Sequence, residues 1–322
     1  MKIQQIQALP GQKAFGFVKA TETHGGFDVH FPLHIVAGQQ PGPTLLIVAG
    51  MSGLEIEPAL VLPKVVDEID PAALCGTLLV VPLFNTSGFE FEQVNAIWDD
   101  KDLTQLGRGR PDGTVSEQLL DCFYTTAVAP ADAVIEIRTG ALWGYFRYAG
   151  VYTEGAQDRS RALAEALGLP HVVLGQPADG SFACEAASDA KAVVSAWIGG
   201  GPGLRDFRQD DMQRVRNTVV NALRHLGMLG GNLESLDGPV STVRGHTFVK
   251  VTGPRGLTFI DKSKRGQAVG AGDVIGYVKH PFTGDIVHAF RAARSGVMVH
   301  AGASWPIVPE DAVLAILGDA AS

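Results

Sequence analysis

Cysteine is scarce. The three present, Cys75, Cys122 and Cys184, are too few and too scattered for a disulfide framework or a paired-cysteine metal site. A reducing cytoplasm is the expected setting. Long apolar runs are missing too. The longest, over 45–50 and 78–84, fall far short of a membrane span, so no membrane partner is expected. Residues 1–17 lack the apolar stretch of a secretory signal. Positive charge is outnumbered, with 26 Lys+Arg against 34 Asp+Glu and a net charge of -8. Nucleic-acid binders usually carry a basic surplus, so that partner class is excluded. Apolar residues are plentiful, at 46% against 19% charged, which supports a sizeable core and rules out wholesale disorder. The 322 residues suit one large domain plus a smaller one.

The first two-thirds alternates strand and helix patterns. Apolar runs at 44–49, 78–84, 133–138, 171–175 and 192–198 read as strands. A helix is predicted from Glu55 to about Glu68, with Pro58 in its first turn and a kink at Pro63. Further helices are predicted over 116–128, with Ser116 as N-cap, over 160–168, and over 210–229. The last carries Met212, Val215, Val219, Leu223 and Leu226 as one stripe. From about 235 the pattern changes to short Val/Ile runs between Gly, Pro and Asp turns. The expected architecture is therefore an α/β domain over 1–230, with a mixed sheet covered by helices on both faces, then an all-β domain over 235–322. Ligands on such sheets bind at the carboxyl ends of strands, which directs attention to the residues after 49, 84, 138 and 198.

Those ends, with their surroundings, read Gly-Met-Ser-Gly-Leu-Glu (50–55), Phe-Asn-Thr-Ser-Gly-Phe-Glu (84–90), Asp-Asp-Lys-Asp-Leu (99–103), Glu-Ile-Arg-Thr-Gly (136–140) and Ile-Gly-Gly-Gly (198–201). In order and spacing these segments resemble the succinylglutamate desuccinylase/aspartoacylase family of zinc carboxypeptidase-like hydrolases, over essentially the whole chain. The resemblance implies that fold, with a barrel- or sandwich-like C-terminal β domain. It also implies an amide hydrolase that deacylates small N-acylated amino acids with zinc.

Family members hold zinc with a His-Gly-x-Glu motif and a second His after Asp-Leu. Here Ser52 stands at the first His position, Glu55 is kept, and Arg138 stands at the second His position with Glu136 before it. Trp197 occupies the place of the general-base Glu, so no catalytic residue is assigned with assurance. The substrate-binding Asn-Arg pair after Asp102-Leu103 is replaced by Thr104 and Gln105. Hydroxyl is a poor zinc ligand and guanidinium repels a cation, so no cofactor is expected and zinc rests on the resemblance alone. With metal gone, Glu55 would be unpaired, and Arg138 is placed to neutralise it. The alternative is a solvated or helix-capping Glu55.

Asn85, Gln105, Arg108 and Arg138 are the candidate substrate-binding residues, Arg108 because guanidinium matches a carboxylate in two prongs. Asp99, Asp100 and Asp102 form either a rim for a cationic ligand or a turn with capping carboxylates. Packing or surface roles are favoured for His24, His30 and His34; His280, His288 and His300 could reach the pocket only if the β domain folds over it. Gly199–Gly203 reads as a turn rather than a phosphate loop. The expected function is a metal-free pocket for a small carboxylate or N-acyl amino acid. The alternative is an active zinc-dependent amide hydrolase that uses relocated residues. The small-molecule ligand is the expected partner, and the composition is compatible with a homo-oligomer.

Overall fold

The computed structural model describes all residues except 142–143, 177–178, 201–207, 251–253, 302–312 and 321–322. Its strands are β1 (Lys2–Ile3), β2 (Ile6–Gln7), β3 (Gln12–Glu22), β4 (Asp28–Ala37), β5 (Gln40–Ala49), β6 (Cys75–Val81), β7 (Ala133–Arg138), β8 (Phe146–Tyr152), β9 (His171–Gln176) and β10 (Ala192–Gly199). They continue with β11 (Ser241–Lys250), β12 (Leu257–Ile260), β13 (Ala268–Val269), β14 (Val274–Lys279), β15 (Ile286–Arg291), β16 (Gly296–Ala301) and β17 (Val313–Ala320). The α-helices are α1 (Glu57–Glu68), α2 (Thr86–Glu90), α3 (Val115–Phe123), α4 (Gln157–Ala166), α5 (Phe182–Ser188) and α6 (Gln209–His225).

Twelve strands form one sheet in the order β13-β16-β17-β11-β9-β8-β10-β7-β5-β6-β4-β3. Its centre is parallel from β10 through β7 and β5 to β6, and β8 runs antiparallel to β10. The central strands are apolar on both sides because both faces are covered. One face packs Phe31, Phe84, Phe123 and Phe182 under α3 and α5. The other packs Ile47, Leu62, Val65, Leu163, Val219 and Leu223 with α1, α4 and α6. The expected mixed α/β fold and the β-rich C-terminal region are both present.

Local details depart from the pattern reading. The C-terminal strands do not form a sheet of their own: β11 pairs in parallel with β9, so the main sheet runs on through β17, β16 and β13. Only β12, β14 and β15 form a separate three-stranded sheet. β3 and β8 were not anticipated as strands, whereas the segment around His30 and His34 that forms β4 read as β structure. Exposed Phe15 and Phe17 on the edge strand, and Gly150 within β8, blur the alternation that marks a half-buried strand. α1 starts at Glu57 rather than Glu55 and carries Pro63 within it. α3 is capped by Thr114 in a reciprocal capping box with Glu117, while Ser116 donates to Asp99 at 2.5 Å. The helical path then widens into a π-turn over Tyr124–Val128.

Candidate functional site

The carboxyl ends of β5, β7 and β10 converge on a cleft of about 240 Å³. Ser52, Glu55, Arg138 and Trp197, from segments far apart in sequence, all line it. The tight entry of the 50–55 segment requires glycine at position 53, where a Cβ would lie 2.1 Å from the Gly88 carbonyl carbon. Because α1 begins two residues later, Glu55 is not a helix cap. Its carboxylate is free to turn inward.

There it meets Arg138. The guanidinium Nε donates to both Glu55 oxygens at 3.0 and 2.9 Å, and Nη2 lies 2.9 Å from Oε1. Nη1 reaches Glu136 Oε1 at 3.4 Å. Glu55 is 3% exposed, Glu136 is 1% exposed and the Arg138 side chain is 13% exposed, so the group is largely shielded from water. The guanidinium also lies over the Trp197 ring, 4.7 Å from its centroid. Burial pushes the Glu55 carboxyl up, while the charge and hydrogen bonds of Arg138 pull it back. Burial raises Glu136 to about 7, against the pull of Arg138. The Arg138 guanidinium itself is held well above its usual range by the two carboxylates.

The remaining walls combine hydroxyls with apolar groups: Thr104, Thr139, Val94 and Phe146. Asp102 also lines the cleft, but its carboxylate accepts from the Thr104 N–H at 2.9 Å and hydroxyl at 2.7 Å. Asp99 accepts from Ser116, and Asp100 accepts from Asn95. The acidic loop thus caps turns. Phe146 is stacked on His300 at 3.8 Å. His300 is fully buried, donates from Nδ1 to the Tyr145 carbonyl, and is pushed down to about 3 by burial. It buttresses a cleft wall without lining the cleft. His30 and His34 pack on Phe17 and Phe15, and His280 organises a hairpin turn. Among the described residues no group of three or more His, Cys, Asp or Glu is arranged to hold a metal ion.

Three candidate binding residues stand outside the cleft lining. Asn85 is buried, accepts from the Gly88 N–H at 2.8 Å and donates to the Val94 carbonyl at 3.1 Å; it caps α2. Gln105 is exposed and donates to Thr104. Arg108 pairs with Glu185 at 2.9 Å and Asp189 at 2.7 Å over the Tyr124 ring. Phe146 and Thr139 are cleft residues that the sequence reading missed. The aromatic run before β8 was the available signal for Phe146. Gly199 and Gly200 turn with φ of 79° and 89°, and Gly201–Gly203 lie outside the described residues.

The mixed sheet with helices on both faces and a polar cleft at its strand ends is an α/β fold of the kind seen in the desuccinylase/aspartoacylase structures. The chain belongs to the succinylglutamate desuccinylase/aspartoacylase family: the model of that family's catalytic domain matches residues 41–226. The chain is 26% identical over 204 residues to an N-alpha-acetyl-L-2,4-diaminobutyric acid deacetylase of Halomonas elongata, a match that covers 62% of this chain and 59% of that protein. The chain therefore spans about 59% of the length of that curated relative. A succinylglutamate desuccinylase structure from Silicibacter sp. superposes with a TM-score of 0.84 at 24% identity over 100% of both chains. A product-bound ectoine utilization protein of Ruegeria pomeroyi gives 0.82 at 22% identity over 98% of both. These likenesses extend the fold over the C-terminal strands. No helix among the described residues is long and apolar enough to cross a membrane.

Proposed function

We propose that the cleft binds a small carboxylate or N-acyl amino acid without a metal ion, and that the family's zinc-dependent hydrolysis is not performed here. The observation that carries this reading is the guanidinium of Arg138 on Glu55 at 2.9 Å. A catalytic zinc site takes three N, O or S donors and keeps a position open for water. Here the retained carboxylate is occupied by a permanent cation, and the neighbouring donor is a serine hydroxyl. A divalent ion would have to displace a buried, bidentate partner and face its positive charge at contact distance. The Trp197 indole is a donor only, with no basic lone pair to take a proton from water, so it cannot replace a general base.

The same residues suit a ligand. Arg138 has one Nη1 and one Nη2 hydrogen left over after its bonds to Glu55 and Glu136, and these match a carboxylate or amide oxygen. Trp197 and Phe146 offer apolar surface for an acyl chain, and Ser52 and Thr139 offer hydroxyls. The curated deacetylase relative favours the second reading, a hydrolase working through relocated residues. Incubation with N-acetyl-2,4-diaminobutyrate, with and without added zinc, separates them. The proposal expects saturable binding by calorimetry and no release of acetate. Zinc-dependent acetate release, abolished by Glu55→Ala, would overturn it.

A further inference from the structure

We propose a second binding site, for a small dianionic oxyanion, formed by Arg147, Arg208 and Arg265 around the ring of Tyr145. All three guanidinium carbons lie over that one ring, at 4.8, 4.3 and 4.9 Å from its centroid. They come from β8, from the residue preceding α6, and from the turn before β13. Arg147 follows the cleft residue Phe146 along β8, so its side chain points to the opposite face of the sheet.

Among the described residues the negative charge nearby does not balance them. Arg214 takes up Asp237 through two short bonds of 2.6 and 2.7 Å, and also reaches Asp211 at 3.2 Å. Asp211 is further engaged by the Tyr145 hydroxyl at 2.8 Å. The three ring-stacked arginines have looser carboxylate contacts: Arg147 donates to the Tyr145 hydroxyl and lies 3.6 Å from Asp211 and 4.0 Å from Asp237, and Arg208 lies 4.0 Å from Asp211. The Arg265 side chain has no hydrogen bond or ion pair among the described residues. Arg147 Nε is buried with no hydrogen-bond partner, and so is Nδ1 of His171, which feels the Arg265 charge. Glu57, whose charge is coupled to that of Asp211, is pushed toward its neutral form by burial.

Among the described residues, four guanidinium groups (Arg147, Arg208, Arg214 and Arg265) face two carboxylates, Asp211 and Asp237, both already engaged by Arg214, which leaves about two positive charges without a partner there. An anion between like charges this close relieves their repulsion, and the planar donors match phosphate or carboxylate oxygens. The uncompensated charge fits a group carrying two negative charges, a phosphate or a dicarboxylate.

The test is calorimetric titration of the full chain with inorganic phosphate and, separately, with succinate, against sodium chloride at matched ionic strength. Arg265→Gln is the first variant, because its removal strands no partner; the Arg147→Gln/Arg265→Gln double variant is the second. Saturable binding of phosphate or succinate, weakened roughly tenfold or more in Arg265→Gln while its melting temperature without anion is not lowered, supports the site. Whichever of the two binds more tightly identifies the oxyanion. Binding equal in wild type and both variants, or no effect beyond that of chloride, overturns it.

Discussion

Arg138 and Arg108 make the same set of contacts in two different solvents. Each pairs with two carboxylates and lies over an aromatic ring: Arg138 with Glu55 and Glu136 over Trp197, Arg108 with Glu185 and Asp189 over Tyr124. The Arg138 side chain is 13% exposed and the Arg108 side chain is 43% exposed. Contact lists alone would rank them as equals. Burial separates them: water screens the exposed group and can replace any lost partner, whereas the buried group must balance its charges internally. Arg138 is therefore bound to Glu55 by necessity, and Arg108 holds α5 to the loop before α3 at small energetic consequence.

The largest effect is expected at the buried pair. Arg138→Ala leaves Glu55 uncompensated and should cost about 3–5 kcal/mol in urea unfolding. The double variant Glu55→Leu/Arg138→Leu should cost clearly less than Arg138→Ala alone, since it removes both charges. Additive losses would break the comparison. A middle-sized effect is expected from pH. Folded Glu136 keeps its proton to about pH 7, while its ordinary value is 4.5. Between those values the folded state holds the extra proton, so this group's contribution to stability falls as pH rises. Glu136→Gln should flatten the stability profile over that window; an unchanged slope would place the titration elsewhere. The smallest effect is at Arg108→Ala, about 0–1 kcal/mol and reduced further by salt. A loss as large as that of Arg138→Ala would show that burial is not what divides the two.

Much of this was legible in the sequence, for identifiable reasons. Ser52 and Glu55 follow one apolar run and Arg138 and Trp197 close two others; the resemblance to the family's zinc and general-base positions grouped the four, and the ends of neighbouring parallel strands converge in space. Asn85, Gln105 and Arg108 also lie near strand ends or in the following loops. Their side-chain directions depend on local hydrogen bonds: Asn85 caps α2, Gln105 bonds the adjacent Thr104, and Arg108 turns to α5. Sequence spacing carries no information on such choices. The arginine cluster at Tyr145 was invisible for a related reason. Arg147, Arg208 and Arg265 are far apart in the chain, and only the continuation of the sheet into β11 brings the turn before β13 beside β8 and α6. A pattern reading that ended the α/β unit at 230 had no reason to join them.

The most direct measurement is the zinc content of the full-length protein after incubation with excess zinc and removal of unbound metal, read by elemental analysis. The proposed metal-free cleft predicts far less than one zinc per chain, with Glu55→Ala indistinguishable from wild type. One tightly held zinc per chain, lost in Glu55→Ala, would contradict it.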